Sequence, residues 1–495
     1  MTRICIPIVA ETIDNFIKDI KKAEILSDLI ELRIDYIKDF KIDKLEKLIK
    51  NCTKDFIITC RPKNNGGKFE GNEKERISIL EKAIDLECPF IDLEIETENK
   101  TILNLINKKQ KTKIILSYHD FKKTNSLKKL KIKYDEMNSY FPDFLKIVTY
   151  ANSINDNFNI FSLLNEKSNL ISFCMGIRGH ISRILTAKYG SYISYVCLEE
   201  GKESADGQIS AKYIEDVYNF SSINKETKVL GVLGSVAENS KSKFMHNANF
   251  KKKKLNFIYI PFKVRKEELK ELIKNFKIFE FRGGAVTIPH KEDIMQYFNN
   301  IDNTAKIIGA TNTFVNDNSI FSGHNTDYYG AEHALKEITK LKDKKILVIG
   351  AGGAARSLCY VLNKEKSNFT IINRTYEKAK LLADEFNGSC SKFKELKKEI
   401  NNNDIIINTT SVGMNPNNNE CIIEEKIFPK NKIIMDMVYN PIETVLIKLA
   451  NKNNCTIITG DRMLAYQAIG QFKLWTGVDP DFDLMQKALL EHLDE

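Results

Sequence analysis

The chain has 495 residues, 42% hydrophobic and 28% charged, with ten thinly spread prolines; this describes two to four folded domains and excludes a disordered chain. Seventy-five Lys+Arg against 66 Asp+Glu leave a net charge of +9, an excess that suits small anions and is too diffuse for a nucleic-acid-binding surface. No apolar run reaches the ~18 residues of a membrane span, and the ten cysteines show neither a C-x-x-C pair nor zinc-ligand spacing. A strand-like run, "TRICIPIVA", opens at once and leaves no room for a signal peptide, so the expectation is a cytoplasmic protein with reduced thiols and no membrane partner.

Eight short β-branched runs follow: "RICIPIV", "LIELRID", "FIITCR", "FIDLEI", "KIILSYH", "FLKIVTY", "LISFCMG" and "YISYVC". Helical periodicity, as in "ERISILEKAIDLE", separates them, and strands alternating with helices pair in parallel. Eight such units predict a (β/α)8 barrel, whose chemistry sits at the C-terminal ends of its strands. Period-two alternation puts Glu31, Arg33 and Asp35 on one face of the second run and Asp92 with Glu94 on one face of the fourth. Arg61 ends the third run, His119 ends the fifth, and Lys146 shares a face of the sixth with Val148 and Tyr150.

Lys146 interrupts an otherwise apolar strand, and an ammonium withdrawn from water needs a partner or must give up its charge. An isolated lysine of this kind is more often a structural ion pair or a snorkelling side chain. The company of Glu31, Arg33, Arg61 and His119 reverses that reading. Burial and cationic neighbours would both disfavour the ammonium and leave an amine able to attack a ketone. The resulting imine acidifies the adjacent C–H, and His119 is placed to remove that proton and return it to a leaving hydroxyl.

"ELRID", "TCRP", "SYHD", "LKIV", "MGIRGHISR" and "ESADGQIS" together resemble the type I 3-dehydroquinate dehydratases, over residues 1–222. The resemblance implies a TIM barrel in which Lys146 forms a Schiff base with the substrate ketone and His119 is the general acid and base. It also implies that Glu31, Arg33, Arg61, Arg183, Ser204 and Gln208 bind the substrate, Arg183 holding its carboxylate. One position departs: before Gly66-Gly67 the family usually carries a glutamate that supports the histidine, and here Asn65 stands there. The expectation is a shifted His119 pKa and slower turnover, with Glu70 a candidate substitute.

The polar stretch "EDVYNFSSINKETK", residues 215–228, reads as a linker, after which "KVLGVLG" starts a second half. Four polar clusters follow strand-like runs: "SVAENSKSKFMHN", "VTIPHKED", "GATNTF" and "GHNTDYYG". Their hydroxyls and amides suit a polyhydroxylated ring, and a Lys–Asp pair can manage a hydroxyl proton, although each cluster alone also reads as a turn or cap. "KKILVIGAGGAARSLCYVL" is a strand, then Gly350, Gly352 and Ala355 at G-x-G-x-x-A spacing, then a helix: a dinucleotide-binding loop. Where an NAD site would show an acid, "FTIINRTYEKAK" offers Asn373, Arg374 and Thr375, which favours the 2′-phosphate of NADP(H).

Taken together, these motifs resemble shikimate dehydrogenase from about residue 228 to the end of the chain. The resemblance implies a substrate-binding domain at 228–330, completed by C-terminal helices within 462–495, and a Rossmann NADP-binding domain at 331–461. It assigns Ser240, Ser242, Thr287, Asn312, Tyr439 and Gln467 to substrate, and Lys291 with Asp327 to catalysis. Gly350, Ala351, Gly352, Gly353, Ala354, Asn373, Arg374, Thr375 and Gly460 fall to the cofactor. Lys243 stands where proline is more usual after Ser242 and should loosen that turn. The two resemblances imply consecutive steps: 3-dehydroquinate to 3-dehydroshikimate, then to shikimate with NADPH, with no metal, small-molecule substrates as the partners and the oligomeric state left open. Two rival readings stay open. One makes the second half a quinate dehydrogenase using NAD; the other makes the first half a weakly active ligand-binding module.

Overall fold

All eight β-branched runs fold as strands: β1 (Arg3–Ile8), β2 (Leu29–Arg33), β3 (Asp55–Thr59), β4 (Phe90–Glu94), β5 (Lys113–His119), β6 (Phe144–Tyr150), β7 (Leu170–Met175) and β8 (Ile193–Tyr195). The structure is a computed structural model and describes residues 2–493. The strands lie in the order β7-β6-β5-β4-β3-β2-β1-β8 with every pair parallel. A 3.0 Å bond from the Tyr192 N–H to the Leu170 carbonyl draws the two end strands together into a near-closed barrel.

The barrel floor takes an apolar side chain from every strand: Cys5, Leu29, Ile57, Phe90, Ile115, Phe144, Ile171 and Ile193. Counting onward by twos keeps to the same face and reaches Glu31 and Arg33, Thr59 and Arg61, Asp92 and Glu94, Ser117 and His119, and Tyr195. Lys146 lies two residues after Phe144. Strand alternation therefore stacks a layer of charge directly above an apolar floor, and apart from the half-buried His119 the polar side chains of that layer are buried.

The stretch 215–228, expected as a linker, is folded onto the first unit instead. Helix Ala211–Tyr218 runs into it, and Val217, Tyr218, Phe220 and Ile223 are buried. Its polar residues are the wet side of amphipathic turns, which composition alone reads as a loop. The first compact unit ends at Thr227 and the second begins at Lys228.

The second unit has two sheets. The first contains β9 (Lys228–Gly234), β10 (Phe257–Lys263), β11 (Gly283–Val286), β12 (Asn300–Ile301), β13 (Thr313–Asp317) and β14 (Ile320–His324), in the order β10-β9-β11-β13-β14-β12. Helices Gly460–Thr476 and Phe482–Leu490 return from the C-terminal end and bury Ala465, Ala468, Phe472, Trp475, Met485 and Leu489 against Leu230, Val232, Met245, Phe250 and Tyr259. The second sheet is wholly parallel: β15 (Lys345–Ile349), β16 (Asn368–Ile372), β17 (Ser389–Ser391), β18 (Ile405–Asn408), β19 (Ile433–Asp436) and β20 (Thr456–Ile458). Their order, β17-β16-β15-β18-β19-β20, is that of a doubly wound dinucleotide fold, with its switch point between β15 and β18. Among the described residues no helix is long and apolar enough to cross a membrane.

Candidate active sites

At the C-terminal end of the barrel a cavity of about 450 Å³ is lined by all eight residues that the first resemblance assigns to catalysis or substrate: Glu31, Arg33, Arg61, His119, Lys146, Arg183, Ser204 and Gln208. Its charges hold one another in place. Arg33 grips Asp35 with two bonds of 2.9 and 2.8 Å. Arg61 donates to Asp92 at 2.6 Å, and its Nη1 lies 2.7 Å from Nδ1 and 2.8 Å from Nε2 of His119. Behind Arg61, Glu94 accepts from the fully buried Arg76 at 2.5 Å. Burial lifts the Glu94 carboxyl to about 7 even though Arg61 and Arg76 pull the other way.

Lys146 faces the cavity, but its surroundings differ from the expectation. Its Nζ is 3.0 Å from Asp92 Oδ2 and 3.7 Å from Glu31 Oε1, so its nearest charged groups are carboxylates and not the arginines. Asp92, shared between Lys146 and Arg61, keeps the two cations apart; burial works against its ionisation, and the two cations outweigh burial and hold its pKa low. The amine is therefore aimed by ion pairs.

His119 carries the opposite signature. Burial, then Arg61, Lys146 and Arg33, push its imidazole well below the ordinary range, so it is neutral at pH 7. A neutral ring can accept from the guanidinium on one nitrogen and keep its proton on the other. Asn65 donates to Glu96 at 2.9 Å, and Glu70 pairs with Lys63 at the surface, so Glu70 is engaged elsewhere.

Arg183 stands apart from the other cations. It is 1% exposed and donates to the carbonyls of Tyr195 and Asp206, at 3.2 and 3.3 Å, while its Nε has no partner among the described residues. Burial, which Cys174 and the Asp206 carboxylate offset only in part, lowers it to about 10. A dry guanidinium with a free donor is a socket for a carboxylate.

In the second unit a cleft of about 800 Å³ is lined by Ser240, Ser242, Thr287, Lys291, Asn312, Asp327, Ala354, Tyr439, Gly460 and Gln467. Asp327 opens helix Asp327–Lys336, where a carboxylate is favoured by the helix dipole. It accepts from Lys291 at 2.5 Å and from the Asn312 amide at 2.7 Å. Asn312 is held in turn by Thr326, whose backbone N–H donates to its Oδ1 at 2.7 Å. Lys243 lies in the first turn of helix Ser242–Lys252, and its ammonium reaches back to the Glu238 carbonyl at 3.2 Å.

The glycine loop lies at the switch point of the parallel sheet. Gly350 follows β15 at φ +120°, and a Cβ there would sit 2.3 Å from Thr409 Oγ1, so the position requires glycine. Ala351 continues the turn; Gly352 is open on its outer side, and Gly353 begins helix Gly353–Lys364, which no described side chain caps. Free helix N–H groups beside open space fit a pyrophosphate. Asn373, Arg374 and Thr375 follow β16 on the neighbouring strand, where Arg374 is exposed and Asn373 bonds the Thr375 carbonyl at 2.9 Å.

Comparison with known proteins adds an independent result. Residues 4–225 match the type I 3-dehydroquinase family, and 232–314, 332–457 and 462–490 match the shikimate dehydrogenase substrate binding domain, shikimate / quinate 5-dehydrogenase and shikimate 5'-dehydrogenase C-terminal domain. The bifunctional 3-dehydroquinate dehydratase/shikimate dehydrogenase of Arabidopsis thaliana, named as chloroplastic, is 34% identical over 96% of this chain and 82% of its own. The chain belongs to this bifunctional family. The NADP(+) shikimate dehydrogenase of Methanococcus aeolicus is 44% identical over 55% of the chain and all of its own length. A crystal structure of shikimate dehydrogenase in complex with NADP+ shares 43% identity and a TM-score of 0.53 over 55% of this chain and 98% of its own.

For a bifunctional dehydratase–dehydrogenase, several lining residues escaped the reading of sequence. Tyr195 lines the barrel cavity, and the strand-end rule that found His119 would have found it at the end of the eighth run. Gln471 lines the cleft four residues after Gln467 on one helix face, a spacing that helical periodicity marks. Met437, Met463 and Leu464 carry no chemical signature and needed the fold.

Proposed function

We infer that this chain dehydrates 3-dehydroquinate to 3-dehydroshikimate in its barrel and reduces 3-dehydroshikimate to shikimate with NADPH in its second unit. The observation that carries the first half is one cavity holding an amine, a neutral imidazole and a buried guanidinium whose Nε has no partner among the described residues. Arg183 binds the substrate carboxylate, and Glu31, Arg33, Arg61, Ser204 and Gln208 take its hydroxyls and fix its orientation. That places the ketone at Lys146. Condensation forms a C=N bond and expels the carbonyl oxygen as water. His119 then removes a proton from the adjacent carbon, and the electron pair flows into the iminium to give an enamine. The pair returns to expel the β-hydroxyl, which leaves as a second water with the proton from His119. Hydrolysis of the conjugated iminium consumes one water and restores the amine, so the net change is loss of one water.

In the cleft, Ser240, Ser242, Thr287, Asn312, Tyr439 and Gln467 orient the cyclic substrate, and the Lys291–Asp327 pair supplies a proton to its carbonyl oxygen as that oxygen becomes a hydroxyl. Gly350, Ala351, Gly352, Gly353, Ala354 and Gly460 would hold the dinucleotide, with Asn373, Arg374 and Thr375 on its 2′-phosphate. When bound, NADPH supplies the hydride. Ten free cysteines, six of them buried, support a reducing compartment, and we place the protein in the cytoplasm.

The test supplies 3-dehydroquinate with either NADPH or NADH and follows nicotinamide oxidation together with product identity. Shikimate formed at the expense of NADPH is the expected outcome; no product with either cofactor contradicts the coupled reading.

A further inference from the structure

Lys146 has a third neighbour besides its two carboxylates. The ring of Tyr195 faces it, with Nζ 4.2 Å from the ring centroid. Tyr195 ends β8, is 3% exposed, and its hydroxyl has no hydrogen-bond partner among the described residues. A buried hydroxyl left unpaired is destabilising, so hydrogen bonding by the phenol does not account for the ring being there. The adjacent ring, Phe173, lies 5.8 Å from Tyr195 between centroids and is covered by the Arg183 guanidinium at 4.5 Å. Lys146 and Arg183 thus each have an aromatic face beside them.

The condensation changes what can hold the charge at Lys146. An ammonium carries three N–H bonds; when it condenses with a ketone, two of those protons leave with the carbonyl oxygen as water, and the iminium keeps one N–H and the whole positive charge. Asp92 and Glu31 can then hold one N–H instead of three. Attraction to a ring face depends on charge and not on the number of donors, and it is stronger in a dry site. We propose that the face of Tyr195 is a catalytic group of the dehydratase site, holding the iminium charge as the donors that serve the Asp92 hydrogen bond and the Glu31 ion pair fall from three to one. This rests on the reading of Lys146 as the imine-forming amine.

The test uses the full-length chain carrying Tyr195→Phe, Tyr195→Leu, and a series with mono-, di- and trifluorinated phenylalanine at 195, which drains electron density from the face at nearly constant shape. Dehydration is assayed at steady state, and the imine is trapped with borohydride in the presence of 3-dehydroquinate. Tyr195→Phe is expected to match the parent within about twofold, and Tyr195→Leu to lose roughly two- to thirtyfold in kcat with KM little changed. Log kcat is expected to fall steadily with each added fluorine, a trend that a packing role would not produce. A flat fluorine series overturns the inference, as does a Tyr195→Phe variant as impaired as Tyr195→Leu, since the hydroxyl would then be the working group. No borohydride adduct on Lys146 in the parent sinks the reading of the site itself; an adduct in the parent with a flat series sinks only the role of Tyr195.

Discussion

The barrel cavity and the cleft are lined by opposite chemistry. Around the barrel cavity lie Arg33, Arg61, Arg183 and Lys146 with Glu31, Asp35, Asp92 and Glu94, all buried. The cleft relies on serines, threonine, asparagine and glutamine, together with the Lys291–Asp327 ion pair. The difference follows from where the reactive group comes from. A barrel that must supply its own nucleophile and its own base needs charges to aim one and keep the other neutral, and buried charges persist only when paired. A cleft whose reductant is a bound dinucleotide needs only to orient a ring and move one proton.

If that contrast is right, removing the amine should be the most damaging change and should damage one half alone. Lys146→Met is expected to lower dehydration by roughly 10⁴-fold or more while reduction of 3-dehydroshikimate by NADPH stays unchanged. Separate assays of the two steps check this, and a parallel loss of both would break the comparison. His119→Gln comes next, with a loss of roughly 10²–10⁴-fold. The parent's pH profile sharpens the point. Burial and three cations depress the folded pKa of His119 well below its ordinary 6.5, so the base stays unprotonated from pH 8 down through 6.5 and the rate falls only in more acid solution. A kcat/KM profile that halves near pH 6.5 would show an unshifted base.

The strand-end rule carried most of the barrel site, because period-two alternation is a property of sequence: it took Leu29 to Glu31 and Arg33, and Ile115 to His119. What it missed is distance across the lumen. Asp92 on β4 and Glu31 on β2 close onto Lys146 on β6, and only barrel curvature brings alternate strands that near. Counting cations at strand ends therefore got the sign of the lysine's surroundings wrong. In the second unit the glycine loop was legible because its spacing is a backbone requirement, as Gly350 demonstrates, whereas Gln471 needed the helix to be placed first.

A smaller effect is expected at the cofactor end of the cleft. A charge-assisted contact to a 2′-phosphate contributes about 1.5–3 kcal/mol, so if Arg374 makes it as proposed, Arg374→Asp should shift the NADPH-over-NADH preference by roughly 10- to 100-fold. Comparing kcat/KM for the two cofactors measures it. An unchanged ratio would mean that Arg374 is an ordinary surface arginine and would reopen the NAD-dependent reading.

The smallest expected effect concerns Asn65, where the family usually has glutamate. Here its amide donates to Glu96, a carboxyl that burial already raises, from 2.9 Å. Asn65→Glu would exchange that donor for a second carboxylate. The lost bond and like-charge contact should destabilise the barrel by about 1–2 kcal/mol at pH 7, or roughly 2–4 °C in Tm. The sign of the pH dependence follows: repulsion raises both carboxyl pKa values above their unfolded values, so the penalty is largest with both ionised and shrinks as the pair takes up a proton toward pH 5. Thermal unfolding of parent and variant at pH 7 and pH 5 measures this directly. A penalty that does not shrink in acid would mean that the introduced carboxylate turns from Glu96 toward His119, and the dehydration rate at low pH should then change with the histidine's recovered basicity.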